Sequence, residues 1–225
     1  MAEPGMGESG GDNAAATGPR TPALGVLVSG RGSNLRAILD AIARGELRAR
    51  AGIVISSRAG VPALEIAAAH GIPTRVIAPR DYPSRAAEGA AVVTALSEAG
   101  VDLVVLAGYA RIFDPCVVRA FPYRILNIHP SLLPAFAGGM APKPQADALA
   151  AGVKLSGCTV HFVTDEVDAG PIIAQVAVPV LDDDTVERLA ERILAAEHTL
   201  LPEAIRRVLE GHPRVEGRRV LFDRD

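Results

Sequence analysis

Short apolar runs alternate with amphipathic stretches through the first half of the chain. Continuous apolar runs predict buried strands over residues 24–29, 51–56, 74–77 and 101–106. Between these strands, apolar positions at three-and-four spacing predict helices that begin at Ser33 and cover 61–69 and 84–99. Ser33 is expected to cap the first helix, one face of which carries Leu35, Ile38, Leu39 and Ile42. Fully apolar strands that alternate with helices indicate a parallel sheet covered on both faces.

The second half of the chain has a different pattern. A strand over 124–128 leads into a proline-containing segment that excludes helix, a loop over 135–144 and a short helix near 145–151. Alternating patterns then predict two late strands over 155–164 and 172–179. Thr185 is expected to cap a long helix over 186–210, and a weak strand pair is expected between 214–215 and 220–222. We therefore predict an α/β fold: an open, mostly parallel twisted sheet with helices on both faces, late antiparallel strands and a long C-terminal helix.

Composition narrows the possible functions. The 225 residues suit one domain, and the Gly/Ala/Pro-rich residues 1–22 are expected to be a disordered leader without a secretion signal. No apolar run reaches the roughly 20 residues of a membrane span, so a cytoplasmic location is expected. A net charge of −3 and the absence of Trp argue against nucleic-acid or membrane partners. The two cysteines, Cys116 and Cys158, are too few for a disulfide framework and suit buried apolar positions.

The first candidate for chemistry is the segment SGRGSN at 29–34, between the first strand and the first helix. A glycine turn that enters a helix presents unpaired backbone N–H groups and the positive end of the helix dipole, which bind phosphate. The segment has Leu35 at the sixth position of the dinucleotide fingerprint, where the third glycine belongs, and it lacks the Gly-Lys-Ser/Thr ending of a Walker A loop. A tight strand-to-helix turn with no ligand remains an equal alternative at this point.

The second candidate is the pair Asn127 and His129 at the end of the predicted strand over 124–128. Residues two apart in a strand point the same way, and α/β sheets bind ligands at the carboxyl ends of their strands. An amide that holds an oxyanion beside an imidazole that moves a proton suits acyl chemistry. The alternative is that both side chains only fix the proline-rich turn by hydrogen bonds.

The third candidate is the acidic segment DEVDAGP at 165–171. One of its carboxylates is expected to pair with His129 and raise the pKa of that imidazole, although a plain solvated connection between strands is also consistent. No His or Cys spacing accompanies these acids, so no metal site is expected. His161, in the middle of a predicted strand, is a candidate support for the site, and His198 is ambiguous.

Taken together, five segments identify a resemblance to the glycinamide ribonucleotide transformylases, which are folate-dependent formyltransferases of purine biosynthesis. The resemblance covers residues 24–212, nearly the whole predicted domain. The segments are VSGRGSNLRAIL at 28–39, LAGYARIF at 106–113, LNIHPSLLP at 126–134, GCTVHFVTDEVDAGPIIAQ at 157–175 and ERILAAEH at 191–198. Their order and spacing are far more specific than any one of them alone.

The resemblance implies a Rossmann-like formyltransferase domain over 23–212, a C-terminal tail over 213–225 and a catalytic trio of Asn127, His129 and Asp168. It also implies two small-molecule substrates, 10-formyltetrahydrofolate and glycinamide ribonucleotide, no metal, and a monomer or homodimer. The implied glycinamide ribonucleotide site consists of Gly32, Ser33, Asn34, Pro130, Leu194 and Glu197. The implied folate site consists of Arg85, Leu106, Ala110, Arg111, Ile112, Phe113, Asn127, Val163, Thr164, Asp165, Glu166 and Asp168.

One stretch departs from the family pattern. After Pro134 the family has an aromatic residue, a Gly and at least one His before the next helix. This chain has AFAGGMAPKPQADAL at 135–149, which is longer and lacks His. Ala110, where many relatives have Met, is a milder change. Alternative functions are therefore a formyltetrahydrofolate hydrolase or a non-catalytic folate- or nucleotide-binding protein. The net charge of −3 argues against the methionyl-tRNA formyltransferases, and a purely structural α/β module would leave the polar strand ends unexplained.

Overall fold

Nine strands form a single sheet in the computed structural model, which describes residues 20–222. The helices and strands follow one another in the order β1 (Ala23–Val28), α1 (Ser33–Ala43), β2 (Arg50–Ser56), α2 (Pro62–Ala69), β3 (Thr74–Val76), α3 (Arg85–Glu98), β4 (Leu103–Leu106), α4 (Pro115–Ala120), β5 (Ile125–His129), α5 (Lys143–Ala150), β6 (Leu155–Phe162), β7 (Ile172–Pro179), α6 (Val186–Gly211), β8 (Arg214–Glu216) and β9 (Arg219–Leu221). A single 3₁₀ turn, Pro79–Asp81, precedes α3.

The order of strands in the sheet is β3-β2-β1-β4-β5-β6-β7-β9-β8. The first five of these are parallel to one another, whereas β6 pairs antiparallel with both β5 and β7. The tail forms the expected strand pair, since β8 and β9 pair antiparallel and β9 joins the edge of β7. The predicted fold, mostly parallel with late antiparallel strands and a long C-terminal helix, is confirmed.

The sheet separates two hydrophobic cores. The larger core lies between the sheet and helices α1, α2, α5 and α6, and the smaller one lies under α3 and α4. Strand β1 contributes side chains to both cores, because Val26 faces the larger core and Leu27 faces the smaller one. Each such fully buried aliphatic side chain stabilises the fold by about 1.5–3 kcal/mol.

Local details differ from the expectations. Helix α4 went unpredicted because its six residues are too few to show a helical period. Gly32, with a φ of 79°, is the N-cap of α1, so Ser33 is the first helical residue and not the cap. Thr185 does cap α6, and its side chain accepts the N–H of Arg188. Cys158 is buried in the larger core, and Cys116 packs partly buried against the smaller one.

The structure describes the chain from residue 20 to residue 222, so it covers little of the predicted leader. The leader predicted over 1–22 falls mostly on residues 1–19, which lie outside the described residues. Arg20, the first described residue, donates to the carboxylate of Asp102 at 2.5 Å. Within residues 20–222, no helix combines the length and apolarity needed to cross a membrane.

Candidate active site

A cavity of about 580 Å³ opens at the carboxyl ends of β1, β4 and β5, and its size is typical of small-molecule sites. Its walls come from distant parts of the chain: the turn after β1, the segment after β4, the end of β5, the 135–144 loop, the 163–168 segment and helix α6. The position agrees with the general rule that open α/β sheets bind ligands beyond the carboxyl ends of their strands.

The glycine turn forms one end of the cavity. A Cβ atom at Gly32 would lie 2.8 Å from both Cα and Cβ of Ala63, and the φ of +79° also requires glycine. The backbone of Ala63 donates to the carbonyl oxygen of Gly30 at 3.2 Å, which holds the turn against α2. The first N–H groups of α1 have no acceptor within the helix. This end of the cavity therefore suits an anion.

A buried carboxyl group lies beside the turn. Glu197 on α6 is only 6% exposed, and its Oε2 accepts from Nδ2 of Asn34 at 2.8 Å. Burial raises the pKa of Glu197 to about 7, although the hydrogen bond from Asn34 acts in the opposite direction. The Oδ1 atom of Asn34 is buried without a hydrogen-bond partner among the described residues. The Glu197 carboxyl group is half-protonated near neutral pH, so together with the amide of Asn34 it can both donate to and accept from the hydroxyl groups of a sugar.

Asn127 and His129 lie on the same side of β5, and both line the cavity, so the prediction that they face one way is confirmed. His129 is 3% exposed, in a strand held between the parallel β4 and the antiparallel β6. The pairing of β5 with β6 places His161 directly across from Asn127. Two imidazoles and one amide therefore meet in the wall of the cavity, on the sheet face that Ile125 turns toward the smaller core.

His161 fixes the orientation of the Asn127 amide. Nδ1 of His161 lies 2.9 Å from the carbonyl oxygen of Phe162, which can only accept, so this nitrogen carries the proton. In the neutral ring, Nε2 accepts from Nδ2 of Asn127 at 3.1 Å; in the protonated ring, Nε2 can instead donate to Oδ1 of Asp168, which lies 3.6 Å away. The amide nitrogen of Asn127 is thereby turned toward His161 and Asp168, and its second N–H makes only a long contact, 3.5 Å, with Oδ1 of Asp168.

Asp168 lies between these groups in a left-handed turn with a φ of 51°. Its Oδ2 is 3.2 Å from Nδ1 of His129 and accepts the N–H of Gly138 at 2.8 Å, and its Oδ1 is 3.5 Å from Nδ2 of Asn127. Burial acts to raise the pKa of Asp168, but the N–H of Gly138 and the imidazoles of His161 and His129 outweigh it and hold the pKa below its usual value. The carboxylate is therefore ionised at neutral pH.

The electrostatic expectation for His129 was wrong in its net direction. Burial lowers the pKa of the His129 imidazole below its ordinary value, and the opposing effects of Asp168 and the carbonyl of Phe136 do not compensate. Nε2 of His129 lies 3.1 Å from the Phe136 oxygen, and Nδ1 faces the Asp168 carboxylate. Both ring nitrogens thus face acceptors, an arrangement that satisfies the protonated ring best. Burial nevertheless lowers the pKa of His129, so the neutral ring is favoured more strongly than in a free imidazole.

The 135–144 loop, where the chain departs from the family pattern, closes over His129 and Asp168. Its Phe136 carbonyl accepts from His129, and its Gly138 N–H donates to Asp168. Gly138, Gly139, Met140 and Ala141 line the cavity. The loop therefore bonds His129 and Asp168 through its backbone carbonyl and N–H groups.

The cavity brings together every residue of the expected nucleotide and folate sites except Arg85. The guanidinium of Arg85 lies behind the cavity wall, where it donates to the carbonyl oxygens of Ile112 at 3.2 Å and Phe113 at 2.6 Å. The cavity lining also contains residues that the sequence did not single out. Among them are Arg31, Arg58, Tyr109 and Met140; all but Arg58 lie inside segments that the sequence pointed to, although none was assigned a role.

Across residues 20–222, no group of three or more His, Cys, Asp or Glu side chains is arranged to hold a metal ion. The polar groups that line the cavity are amides, imidazoles, carboxylates and guanidinium groups. These groups can position an oxyanion and move a proton by themselves.

Comparisons with known proteins agree with this geometry. A family model described as formyl transferase matches residues 24–205. The chain is 47% identical over 197 residues to the trifunctional purine biosynthetic protein adenosine-3 of Bos taurus. This alignment covers 88% of this chain but only 19% of the relative. It is 44% identical over 207 residues to the phosphoribosylglycinamide formyltransferase of Mycobacterium tuberculosis, covering 92% of this chain and 94% of that protein. The crystal structure of glycinamide ribonucleotide transformylase 1 from Symbiobacterium toebii superimposes with a TM-score of 0.86 at 53% identity, over 90% of this chain and 94% of the other.

Proposed function

Because the chain belongs to the formyl transferase family, we propose that it transfers the formyl group of 10-formyltetrahydrofolate to the amino group of glycinamide ribonucleotide in purine biosynthesis. The observation that carries the proposal is one continuous cavity with an anion-binding turn at one end and Asn127, His129 and Asp168 in its wall. A phosphorylated amine and a formyl donor can meet there. Two substrates that react directly need such a shared space.

The turn at 30–34 suits the phosphate of glycinamide ribonucleotide. Backbone N–H groups at the start of α1 and the dipole of that helix attract the phosphate without a basic surface. Glu197 and Asn34 are placed to bind the ribose hydroxyl groups, and Leu194 and Pro130 line the space beside them. The substrate amine would then extend along the cavity toward β5.

The folate would occupy the other part of the cavity. Leu106, Val163 and the 110–113 segment form an apolar wall suited to an aromatic ring, while the 164–168 segment supplies polar groups at its edge. In this arrangement the formyl group of the folate would lie near Asn127 and His129. This placement of both substrates rests on the lining of the cavity and on the family resemblance.

In the proposed reaction the substrate amine attacks the formyl carbon, and a negative charge develops on the formyl oxygen. Nδ2 of Asn127 and Nε2 of His129 donate to that oxygen, so the carbonyl of Phe136 must give up its hydrogen bond to His129. The developing charge favours the protonated imidazole, which Asp168 holds at Nδ1. The bond from the formyl carbon to N10 then breaks; the amine loses one proton and N10 gains one, so no net proton is consumed.

We further propose that the enzyme works in the cytoplasm as a monomer or homodimer, without a metal ion and without a nucleic-acid or membrane partner. Its substrates are two small molecules. The amide, imidazole and carboxylate of the cavity supply the oxyanion donors and the proton transfer that this reaction requires.

The decisive experiment is an absorbance assay for conversion of 10-formyltetrahydrofolate to tetrahydrofolate, with and without glycinamide ribonucleotide. The proposal requires formyl release that depends on the ribonucleotide and yields formylated ribonucleotide in equal amount. Release without the ribonucleotide would instead identify a formyltetrahydrofolate hydrolase. Tight folate binding with no release would identify a non-catalytic binding protein, for which the altered 135–149 segment is the sequence argument.

A further inference from the structure

Helix α3 holds the 110–113 wall of the cavity from behind. Arg85 donates to the carbonyl oxygens of Ile112 and Phe113 at 3.2 and 2.6 Å. One turn further along the same helix, Oε2 of Glu88 accepts from Nη2 of Arg111 at 3.2 Å. Residues three apart lie on one face of a helix, so a single face of α3 fixes both the backbone and a charged side chain of the wall.

Glu88 is unusual among the charged residues because it is only 8% exposed. A buried carboxylate is costly unless it is paired, and within residues 20–222 its ion-pair partner is Arg111. Arg111 lines the cavity, and its Nε is buried without a hydrogen-bond partner in the described part of the chain. Glu88 therefore orients a guanidinium whose remaining donors are unused.

Tyr109 adds a second buried polar group to this wall. Its side chain is 7% exposed and lines the cavity, and its hydroxyl has no hydrogen-bond partner among residues 20–222. Burial, together with the nearby charge of Glu88, raises the pKa of Tyr109, so the hydroxyl stays neutral. Unpartnered buried donors at a cavity wall are typical of positions that a polar ligand completes.

The packing of α3 is built for this contact. A Cβ atom at Gly89 would lie 2.8 Å from Sγ of Cys116 and 3.0 Å from Cβ of Asp114, so glycine allows α3 to approach the segment that follows the wall. Arg85 stands in the first turn of α3, where the helix dipole disfavours a positive charge. Its two bonds to carbonyl oxygens offset that unfavourable position.

We propose that Glu88 is a positioning residue of the folate cleft: it holds the guanidinium of Arg111 in the cavity wall so that Arg111 and Tyr109 meet polar groups of the folate. Arg85 supports the same wall, because its guanidinium donates to the backbone carbonyl oxygens of Ile112 and Phe113. The proposal rests on the proposed function in that it takes this part of the cavity to be the folate site. It assigns Glu88 no role in formyl transfer itself.

Glu88→Gln keeps the size of the side chain and removes its charge. The amide oxygen of Gln can still accept from Arg111, but the bond loses the carboxylate charge that strengthens it, so we expect the KM for 10-formyltetrahydrofolate to rise about tenfold. The kcat and the KM for glycinamide ribonucleotide should stay within about twofold of wild type. Glu88→Asp keeps the charge on a shorter chain and should give an intermediate KM. Glu98→Gln is the matched control, since Glu98 lies at the far end of the same helix in an exposed pair with Arg75.

A double-mutant cycle separates positioning from general damage. If Glu88 acts through Arg111, then Glu88→Gln should change the folate KM less than about twofold when Arg111→Gln is already present. Additive effects would overturn the proposal, as would a normal folate KM in a folded Glu88→Gln variant. A fall in kcat with no change in KM would also overturn it.

Calorimetric titration with tetrahydrofolate distinguishes this proposal from the proposed function. If the wild type transfers no formyl group but Glu88→Gln still weakens tetrahydrofolate binding about tenfold, the positioning role stands and the proposed reaction fails. If the wild type is active and both proteins bind tetrahydrofolate equally, the positioning role alone fails. A wild-type protein that binds no tetrahydrofolate overturns both.

Discussion

Replacing Asp168 by Asn removes one negative charge from the centre of the site and keeps the shape of the side chain. The carboxylate is about one-tenth exposed and lies 3.2 Å from Nδ1 of His129. It also accepts the N–H of Gly138 at 2.8 Å, which an amide oxygen can still do. The substitution therefore tests the charge of Asp168 more than its packing.

The size of the effect follows from this geometry. Two unit charges 3.2 Å apart attract by about 5 kcal/mol at an effective dielectric constant of about 20, which is an upper limit. A hydrogen bond to a charged group contributes about 1.5–3 kcal/mol net. Since the imidazolium of His129 is needed when the oxyanion forms, we expect kcat to fall about 10²- to 10³-fold, or roughly 3–4 kcal/mol.

The pH dependence should change in a definite direction. Asp168 opposes the lowering of the His129 pKa by burial, so its neutralisation lets that pKa fall further. Activity that needs the protonated imidazole is lost as pH rises through its pKa. The pH at which kcat declines on the alkaline side should therefore move to a lower value in Asp168→Asn.

The measurement is steady-state formyl transfer from about pH 5 to about pH 9, with circular dichroism to confirm that the variant is folded. Asp182→Asn is the matched control, because the side chain of Asp182 is 94% exposed and pairs with Lys154 at the surface. A folded Asp168→Asn protein that keeps more than about a third of wild-type kcat, with an unchanged pH profile, would refute the electrostatic role of Asp168.

Three further predictions address the neighbouring groups. Burial raises the pKa of Glu197 to about 7 from 4.5, so its protonated form stabilises the fold below about pH 4.5 and this contribution is lost as pH rises through 7. In urea unfolding, Glu197→Gln should remove about 3 kcal/mol of that pH dependence; parallel curves for the two proteins would contradict this. Gly32→Ala, with a φ of +79° and Ala63 2.8 Å away, should lower the free energy of unfolding by about 2 kcal/mol, whereas Gly30→Ala, with nothing within 4 Å, should change it by less than about 1 kcal/mol. Equal losses in the two glycine variants would show that the turn tolerates a Cβ. His161→Phe removes the acceptor for Asn127 and should lower kcat about tenfold, while His161→Gln keeps an acceptor and should recover most of it; if both behave alike in steady-state assays, the amide is not oriented by His161.

The parts of the site that the sequence predicted correctly depend on local periodicity. Asn127 and His129 share a side of β5 because the side chains of a strand alternate, and this holds in any sheet. The glycine turn at 30–34 follows from the junction of a strand with a helix. The parallel half of the sheet likewise follows from apolar strands that alternate with amphipathic helices.

The remaining features depend on contacts between distant segments. The net pKa of His129 is set by burial under the 135–144 loop, which no local pattern describes. The position of Asp168 depends on a left-handed turn, with a φ of 51°, in the connection between β6 and β7. Arg85 was assigned to the folate site by resemblance, whereas its contacts place it behind the wall of the cavity. Glu88 carried no signal in the sequence at all, since a single Glu in an amphipathic helix normally faces water.

The hydrogen bond from Asn34 to Glu197 joins residues 163 positions apart, and α6 packs against α1 where it forms. During synthesis β1 and the glycine turn leave the ribosome before α6, the helix that carries Glu197. The 30–34 turn can therefore assemble before the helix that carries Glu197 has been made. Under the proposed function, a chain cut before α6 would keep Asn127, His129 and Asp168 but lack Glu197, and we expect it to bind glycinamide ribonucleotide far more weakly than a chain that includes α6.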